Sequence, residues 1–314
     1  MKIKPLIVLL LVFLQIGCNH DSASITTFEL PFEHSSKPSL DNKEFLISVS
    51  KNSAYINTII KYDMNRKKMD TIYTSTLPNP AINDLAENSN WIIWVESDET
   101  GAKSKIIARN KNNHQEKIIY KSRDDFSSLV APHLYNEYVS WIDFDGEYKV
   151  FLYNLLTDER EIISTIQTPS FYNNFVHIDN YKLLWTDHVD HEGFYYIYDI
   201  IDRKLTSYKA PFKYPGYAKL SSHLIFSINF NDFRIWSSQE FGYYDLHTKK
   251  YTKLKDVPIQ RFELKDDKLA IINSDQKLEL YKLKLDNQKT IVKEIGIEKS
   301  IFPVDSIDFQ TMVS

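Results

Sequence analysis

A tyrosine-centred strand signature recurs along this chain about every 45 residues. It reads Ile60-Lys61-Tyr62-Asp63, Ile107-Ala108-Arg109-Asn110, Leu152-Tyr153-Asn154, Ile197-Tyr198-Asp199, Tyr243-Tyr244-Asp245 and Leu280-Tyr281-Lys282. The anchors at 62, 108, 153, 198, 244 and 281 are separated by 46, 45, 45, 46 and 37 residues. A period of about 40 to 50 residues that holds four strands marks radial repetition of small sheets. The expectation is an all-β fold, a β-propeller of six four-stranded blades, or seven if the leftover terminal segments form a sheet of their own.

The third repeat shows the internal order. Pro132-His133-Leu134 opens an inner strand, Tyr138 to Asp143 is the second, Lys149 to Leu155 the third and Arg160 to Ser164 the outer one. Apolar residues come in runs of three or four, as strands buried on both faces require. Pro80, Pro132, Pro169, Pro215 and Pro258 stand near the start of inner strands, where a missing N–H is tolerated. Glycine is scarce, seven in all, and Gly101, Gly146 and Gly193 fall in the same hairpin of successive repeats. That placement predicts a positive φ at each. Two segments are left over, 26–32 and 301–309, and are expected to complete a terminal blade and so remove an exposed edge.

The charge balance, 38 basic against 42 acidic residues, has no basic block, so nucleic acid is not an expected partner. Lys2 and Lys4 precede an apolar run from Leu6 to Leu14, too short for a transmembrane span and suited to a signal peptide. Cys18, the single cysteine, follows Gly17. The segment Leu14-Gln15-Ile16-Gly17-Cys18 resembles a bacterial lipoprotein lipobox, departing from it at Gln15. The resemblance implies residues 1–17 as signal peptide, a lipidated Cys18 with a tether over 18–25, and a propeller domain over 26–314. It places the protein on the extracytoplasmic side of a cell membrane, held by acyl chains. With Cys18 lipidated, the fold has no disulfide to rely on.

Over about residues 38 to 309 the period, the aromatic blades and the inner-strand prolines are similar to the extracytoplasmic six-bladed TolB-like propellers. That likeness implies a rigid scaffold docking a protein or an envelope polymer, without cofactor. Catalytic motifs are missing from the sequence: no Gly-x-Ser-x-Gly, no glycine-rich phosphate loop, no His-Glu-x-x-His. The reading is a non-enzymatic binding module. One alternative is a glycan-acting enzyme using inner-strand acids such as Asp84, Glu87, Asp179 and Glu263. A second is a metal-binding envelope protein. Its candidate ligands are Asp187, His188, Asp190 and His191, imidazoles and carboxylates within one hairpin, against the reading that this is a solvated turn. A long hairpin carrying Phe230, Phe233, Arg234 and Trp236 has the residue types of binding hot spots, against the reading that these residues pack over a neighbouring blade. Acids and amides at Glu96, Asp98, Asp143, Asp145, Asn229, Asn231, Asp232, Asn273 and Asp275 would make an acidic ring on the face of the second-to-third-strand hairpins, against the reading that Asp and Asn are simply the preferred turn formers.

Overall fold

The structure, a computed structural model, describes residues 8–13, 24–29, 39–41, 44–63, 66, 68–123, 131–170, 172–232, 239–255, 258–265, 268–273, 278–286 and 289–298. Among them there is no helix. The chain forms two compact units, Phe32–Asp256 and a second made of Met1–Pro31 with Val257–Ser314.

In the second unit, β1 (Val8–Phe13) pairs antiparallel with β2 (Ser24–Glu29). The larger unit holds five blades. Blade one is β3 (Ser39–Asp41), β4 (Glu44–Val49), β5 (Thr58–Asp63) and β6 (Lys68–Thr74). Blade two is β7 (Pro80–Glu87), β8 (Trp91–Asp98), β9 (Lys105–Asn110) and β10 (Glu116–Lys121). Blade three is β11 (His133–Tyr135), β12 (Tyr138–Phe144), β13 (Tyr148–Asn154) and β14 (Arg160–Thr165). Blade four is β15 (His177–Asp179), β16 (Lys182–Val189), β17 (Glu192–Asp199) and β18 (Lys204–Lys209). Blade five is β19 (Tyr214–Ser221), β20 (Leu224–Phe230), β21 (Gln239–Asp245) and β22 (Lys250–Lys255). Blade six, in the second unit, is β23 (Ile259–Lys265), β24 (Lys268–Asn273), β25 (Leu278–Asp286) and β26 (Lys289–Glu298).

Every four-stranded sheet is an antiparallel meander of consecutive strands. Of the two segments expected, one or both, to complete a terminal blade, the first falls partly in β2, where Thr26 pairs with Leu11 of the stretch expected to be removed as a signal peptide. Segment 301–309 lies outside the described residues.

In blades one to five the second strand is the core strand. Along β20 every residue is buried, whereas the outer strand β18 alternates between exposed and half-buried. Trp94, Trp141 and Trp185 occupy the same register position in β8, β12 and β16 and are fully buried. Adjacent blades interlock at this level. Tyr73 of β6 packs on Trp94 at 4.8 Å and its hydroxyl donates to Glu96 at 2.8 Å. Tyr120 of β10 packs on Trp141 at 5.0 Å. Burial and then Asp143 push the Tyr120 hydroxyl well above its ordinary value. Both aromatic seams gain apolar contact, and the first adds a hydrogen bond to a buried acid.

Three members of the expected acidic ring lie in the interior instead, whereas Asp98, Asp145, Asn231 and Asp232 are exposed or half-exposed. Glu96, Asp143 and Asn229 are buried (1%, 3% and 0% exposed), and Glu96 also pairs with Lys105 at 2.5 Å. Glu96 and Asn229 are held by hydroxyls of the preceding blade, Tyr73 and Tyr195. Asp275 lies outside the described residues.

The inner strands are linked laterally by two histidines. His133 Nδ1 accepts the amide of Ile178 at 3.3 Å, and His177 Nδ1 accepts the amide of Leu220 at 3.1 Å. The rings lie 4.5 Å apart. An accepting Nδ1 carries no proton, so both rings are neutral with the hydrogen on Nε2. Burial, then the neighbouring His133 and Lys219, hold His177 well below its ordinary value near 6.5. Unfolded chain therefore takes up a proton that the folded chain refuses. The contribution is complete above about pH 6.5 and is lost as pH falls below it. Thermal melts should show Tm dropping from about pH 7.5 to 5, and a His177→Gln variant should have a flatter profile. Equal slopes for both proteins would contradict this account.

Candidate functional site

The recurring signature ends, in each of blades one to five, on an acid or amide that organises the turn after the third strand. Asp63 accepts the amide of Arg66 at 3.0 Å. Asn110 accepts that of Asn112 (2.8 Å), Asn154 that of Leu156 (2.8 Å), Asp199 that of Ile201 (3.0 Å) and Asp245 that of His247 (2.8 Å). Short oxygen-bearing side chains favour this local bond, which is why they close the repeat.

A second repeated bond ties that turn to the turn between the first and second strands. Lys111 donates to the Asn90 carbonyl, Leu155 to Glu137, Ile200 to Tyr181 and Leu246 to His223, at 2.8 to 2.9 Å. The next residue is thereby pushed outward at the same place in four blades: Asn112, Leu156, Ile201 and His247. Two of these are large and apolar, Leu156 at 71% exposure and Ile201 at 65%.

Side chains join the turns of neighbouring blades on this face. Asn88 Nδ2 donates to the Asn136 carbonyl at 2.8 Å, and Asn136 Nδ2 donates to the Tyr181 hydroxyl at 3.1 Å. Lys117 of β10 donates to the Leu155 carbonyl at 2.6 Å and to Asp158, with its ammonium 5.4 Å from the Trp91 ring centroid. Lys117 and then the Tyr153 hydroxyl hold the Asp158 carboxyl below its usual range. A pocket of about 150 Å³ opens beside Leu156, lined by Asn88, Asn90, Trp91, Asn136 and Glu137. The result is a pinned polar platform with two apolar side chains raised from it.

The residues singled out in the sequence lie elsewhere. Asp187 is buried at 2% exposure. Its Oδ2 accepts the Gln167 amide at 2.6 Å, and its Oδ1 accepts those of Thr168 (3.1 Å) and His188 (2.8 Å). His188 points to the opposite face of β16, with Nδ1 3.4 Å from the Tyr172 hydroxyl and the ring edge-on to Tyr214. Burial lowers its imidazole from the ordinary value, against the pull of Asp187. Asp190 and His191 form the exposed turn, with φ of 50° and 69°. Strand alternation sends neighbouring side chains to opposite faces, so the four are not gathered. Phe230, expected at a binding surface, is fully buried and packs on Tyr172 at 5.7 Å. Phe233, Arg234, Trp236 and Cys18 lie outside the described residues. Of the inner-strand acids, Glu87 pairs with Lys111 at 2.7 Å and Asp84 sits in a left-handed backbone position.

Among the described residues, one group of three metal-ligand types has its ligand atoms within 4.8 Å of one another: His223, Asp245 and His247. The sequence hides it because His223 stands 22 and 24 residues before Asp245 and His247. The signal that finds it is the register itself, which sets Leu224 opposite Asp245.

No protein-family model matches this sequence, and no curated protein matches it. Solved structures do. The chain is similar to TolB from Acinetobacter baumannii, with a TM-score of 0.50 and 14% identity over 72% of this chain and 57% of that one. It is similar to the β-propeller domain of the Trilobed protease from Pyrococcus furiosus, with a TM-score of 0.57 and 14% identity over 84% of each. A computationally designed protein, Ika8, gives a TM-score of 0.56 at 9% identity over 87% of this chain and 85% of that one. The fold is a β-propeller. The propeller spans less than two thirds of the TolB chain's length. At such identities the likeness carries the fold, and function has to be argued from the site.

Proposed function

We propose that this propeller is a non-enzymatic docking module, held on the extracytoplasmic side of a bacterial membrane by a lipidated Cys18, that binds a protein partner on the turn face of blades two to four. The observation that carries the docking reading is the pair Leu156 and Ile201. Both stand at the same outward position of adjacent blades, where turn chemistry favours polar residues, and both are mostly exposed. The neighbouring pocket, about 150 Å³, is smaller than the roughly 300 Å³ at which small-molecule sites begin. Surface docking suits this geometry better than enclosure of a metabolite. The anchor rests on the run Leu6 to Leu14 followed by Gly17-Cys18.

The test is a crosslinking pull-down with the intact protein from its native envelope, read by mass spectrometry. One dominant protein partner is expected. A Leu156→Asp/Ile201→Asp variant should keep its melting profile, since exposed substitutions change stability by about 0.5 kcal/mol or less. It should capture at least about tenfold less partner. Cell-wall or glycan fragments in place of a protein would defeat the reading and direct attention to an activity on glycans. A Cys18→Ser variant should leave the membrane fraction; retention would remove the anchor from the proposal.

A further inference from the structure

We infer that His223, Asp245 and His247 form a site for a divalent transition-metal ion of the zinc class at the turn end of blade five. One ring nitrogen of each histidine and one carboxylate oxygen already lie within 4.8 Å of one another. The two imidazoles are parallel, 4.4 Å apart with an interplanar angle of 2°. The repeated turn explains how they come together. In blades two, three and four the same backbone bond brings Asn90, Glu137 and Tyr181 beside Asn112, Leu156 and Ile201. In blade five both positions are histidine, and the residue that closes the third strand between them is aspartate.

The aspartate and the two turns are fixed before any ion arrives, and the two imidazoles turn to complete the site. Asp245 Oδ1 accepts the amides of His247 at 2.8 Å and Thr248 at 3.1 Å, which fixes the carboxylate. The His223 carbonyl accepts the Leu246 amide at 2.9 Å, which fixes the two turns relative to each other. Ser222 Oγ lies 3.3 Å from His223 Nδ1. In the tautomer where Nδ1–H donates to Ser222 Oγ, the hydroxyl acts as an outer-shell partner and Nε2 is the ligand atom. Zinc–nitrogen and zinc–oxygen bonds of about 2.0 to 2.2 Å need the ligand atoms closer than they now stand. Rotation of the exposed His247 and half-exposed His223 side chains supplies that movement without shifting the strands.

Ligand chemistry decides the class. Two imidazoles with one carboxylate suit zinc, nickel or copper; calcium and magnesium seek oxygen-only sites. Three protein ligands at an exposed turn leave positions for water or for a group from another molecule.

The test is calorimetric titration of zinc chloride into the tag-free full chain after chelator treatment, with binding read directly. One ion per chain is expected, at least about tenfold weaker in His247→Ala and in His223→Ala. Circular dichroism checks that both variants fold; His247, at the turn tip, is the safer of the two. His188→Ala and His191→Ala should bind as the parent does. Absence of stoichiometric binding, equal affinity in the His223 and His247 variants, loss of binding in His188→Ala, or preference for calcium over zinc would each overturn the inference. Partner capture by the Leu156/Ile201 face is a separate readout, so either proposal can fail without the other.

Discussion

Replacing Gly193 with alanine is expected to destabilise the unit formed by residues 32–256 by about 3 kcal/mol, whereas alanine at Gly146 should cost only about 1 kcal/mol. Both glycines sit in hairpins between second and third strands, and the sequence treats them alike. The structure separates them. Gly146 has φ of 78° with open space where a side chain would go, so the cost is backbone strain alone. Gly193 lies in extended strand and is buried. A Cβ there would meet the Phe212 carbonyl oxygen at 2.1 Å, Pro215 Cδ at 2.5 Å and the Lys213 carbonyl oxygen at 2.9 Å. Two of these atoms are backbone, and the crossover into blade five is drawn over Gly193 by the bond from the Ala210 amide to the Gly193 carbonyl, 2.8 Å. It cannot yield without breaking that bond. Urea and thermal melts of the two variants decide the matter, with roughly 6 to 12 °C lost for Gly193→Ala. Equal losses would mean that the close approach is not a real constraint.

That contrast marks where sequence reasoning reached and where it stopped. The repeat was legible because each blade spends the same residue types on the same local tasks: a buried apolar run, a tyrosine-centred third strand, and an acid or amide that closes its turn. These are short-range requirements and leave a short-range trace. The positive φ at Gly101 and Gly146 was legible for the same reason. The glycine at 193 answers to a chain segment some twenty residues away, and composition carries no mark of that. Burial of acids misled in the same manner. Glu96 and Asp143 look like turn-forming surface residues until Tyr73 and Tyr120 arrive from the preceding blade. The His223–Asp245–His247 group fails a search for neighbouring ligands because its members meet only through strand pairing.

Asp187 gives the second large effect, and it separates a structural acid from a ligand. Asp187→Ala is expected to cost about 3 kcal/mol with no metal or partner present. The carboxylate accepts the amides of Gln167, Thr168 and His188, and bonds to a charged acceptor contribute roughly 1.5 to 3 kcal/mol each before solvent replaces some of them. Gln167 and Thr168 begin the crossover from blade three to blade four, so their amides lose the anchor that directs the chain between blades. Water can reach part of this segment, since Gln167 is exposed and Thr168 half-exposed, and that limits the loss to less than the sum of three bonds. Burial pushes the Asp187 carboxyl above its ordinary value while the three N–H donors pull it back. An Asp187→Asn variant keeps one oxygen acceptor and should lose about half as much stability. If residues 187–191 were instead a metal hairpin, Asp187→Ala would fold normally and show its defect only in ion binding. Melting curves recorded with and without zinc distinguish the two: the structural role requires the same loss in both, and an unchanged Tm in the metal-free protein would return Asp187 to the list of ligands.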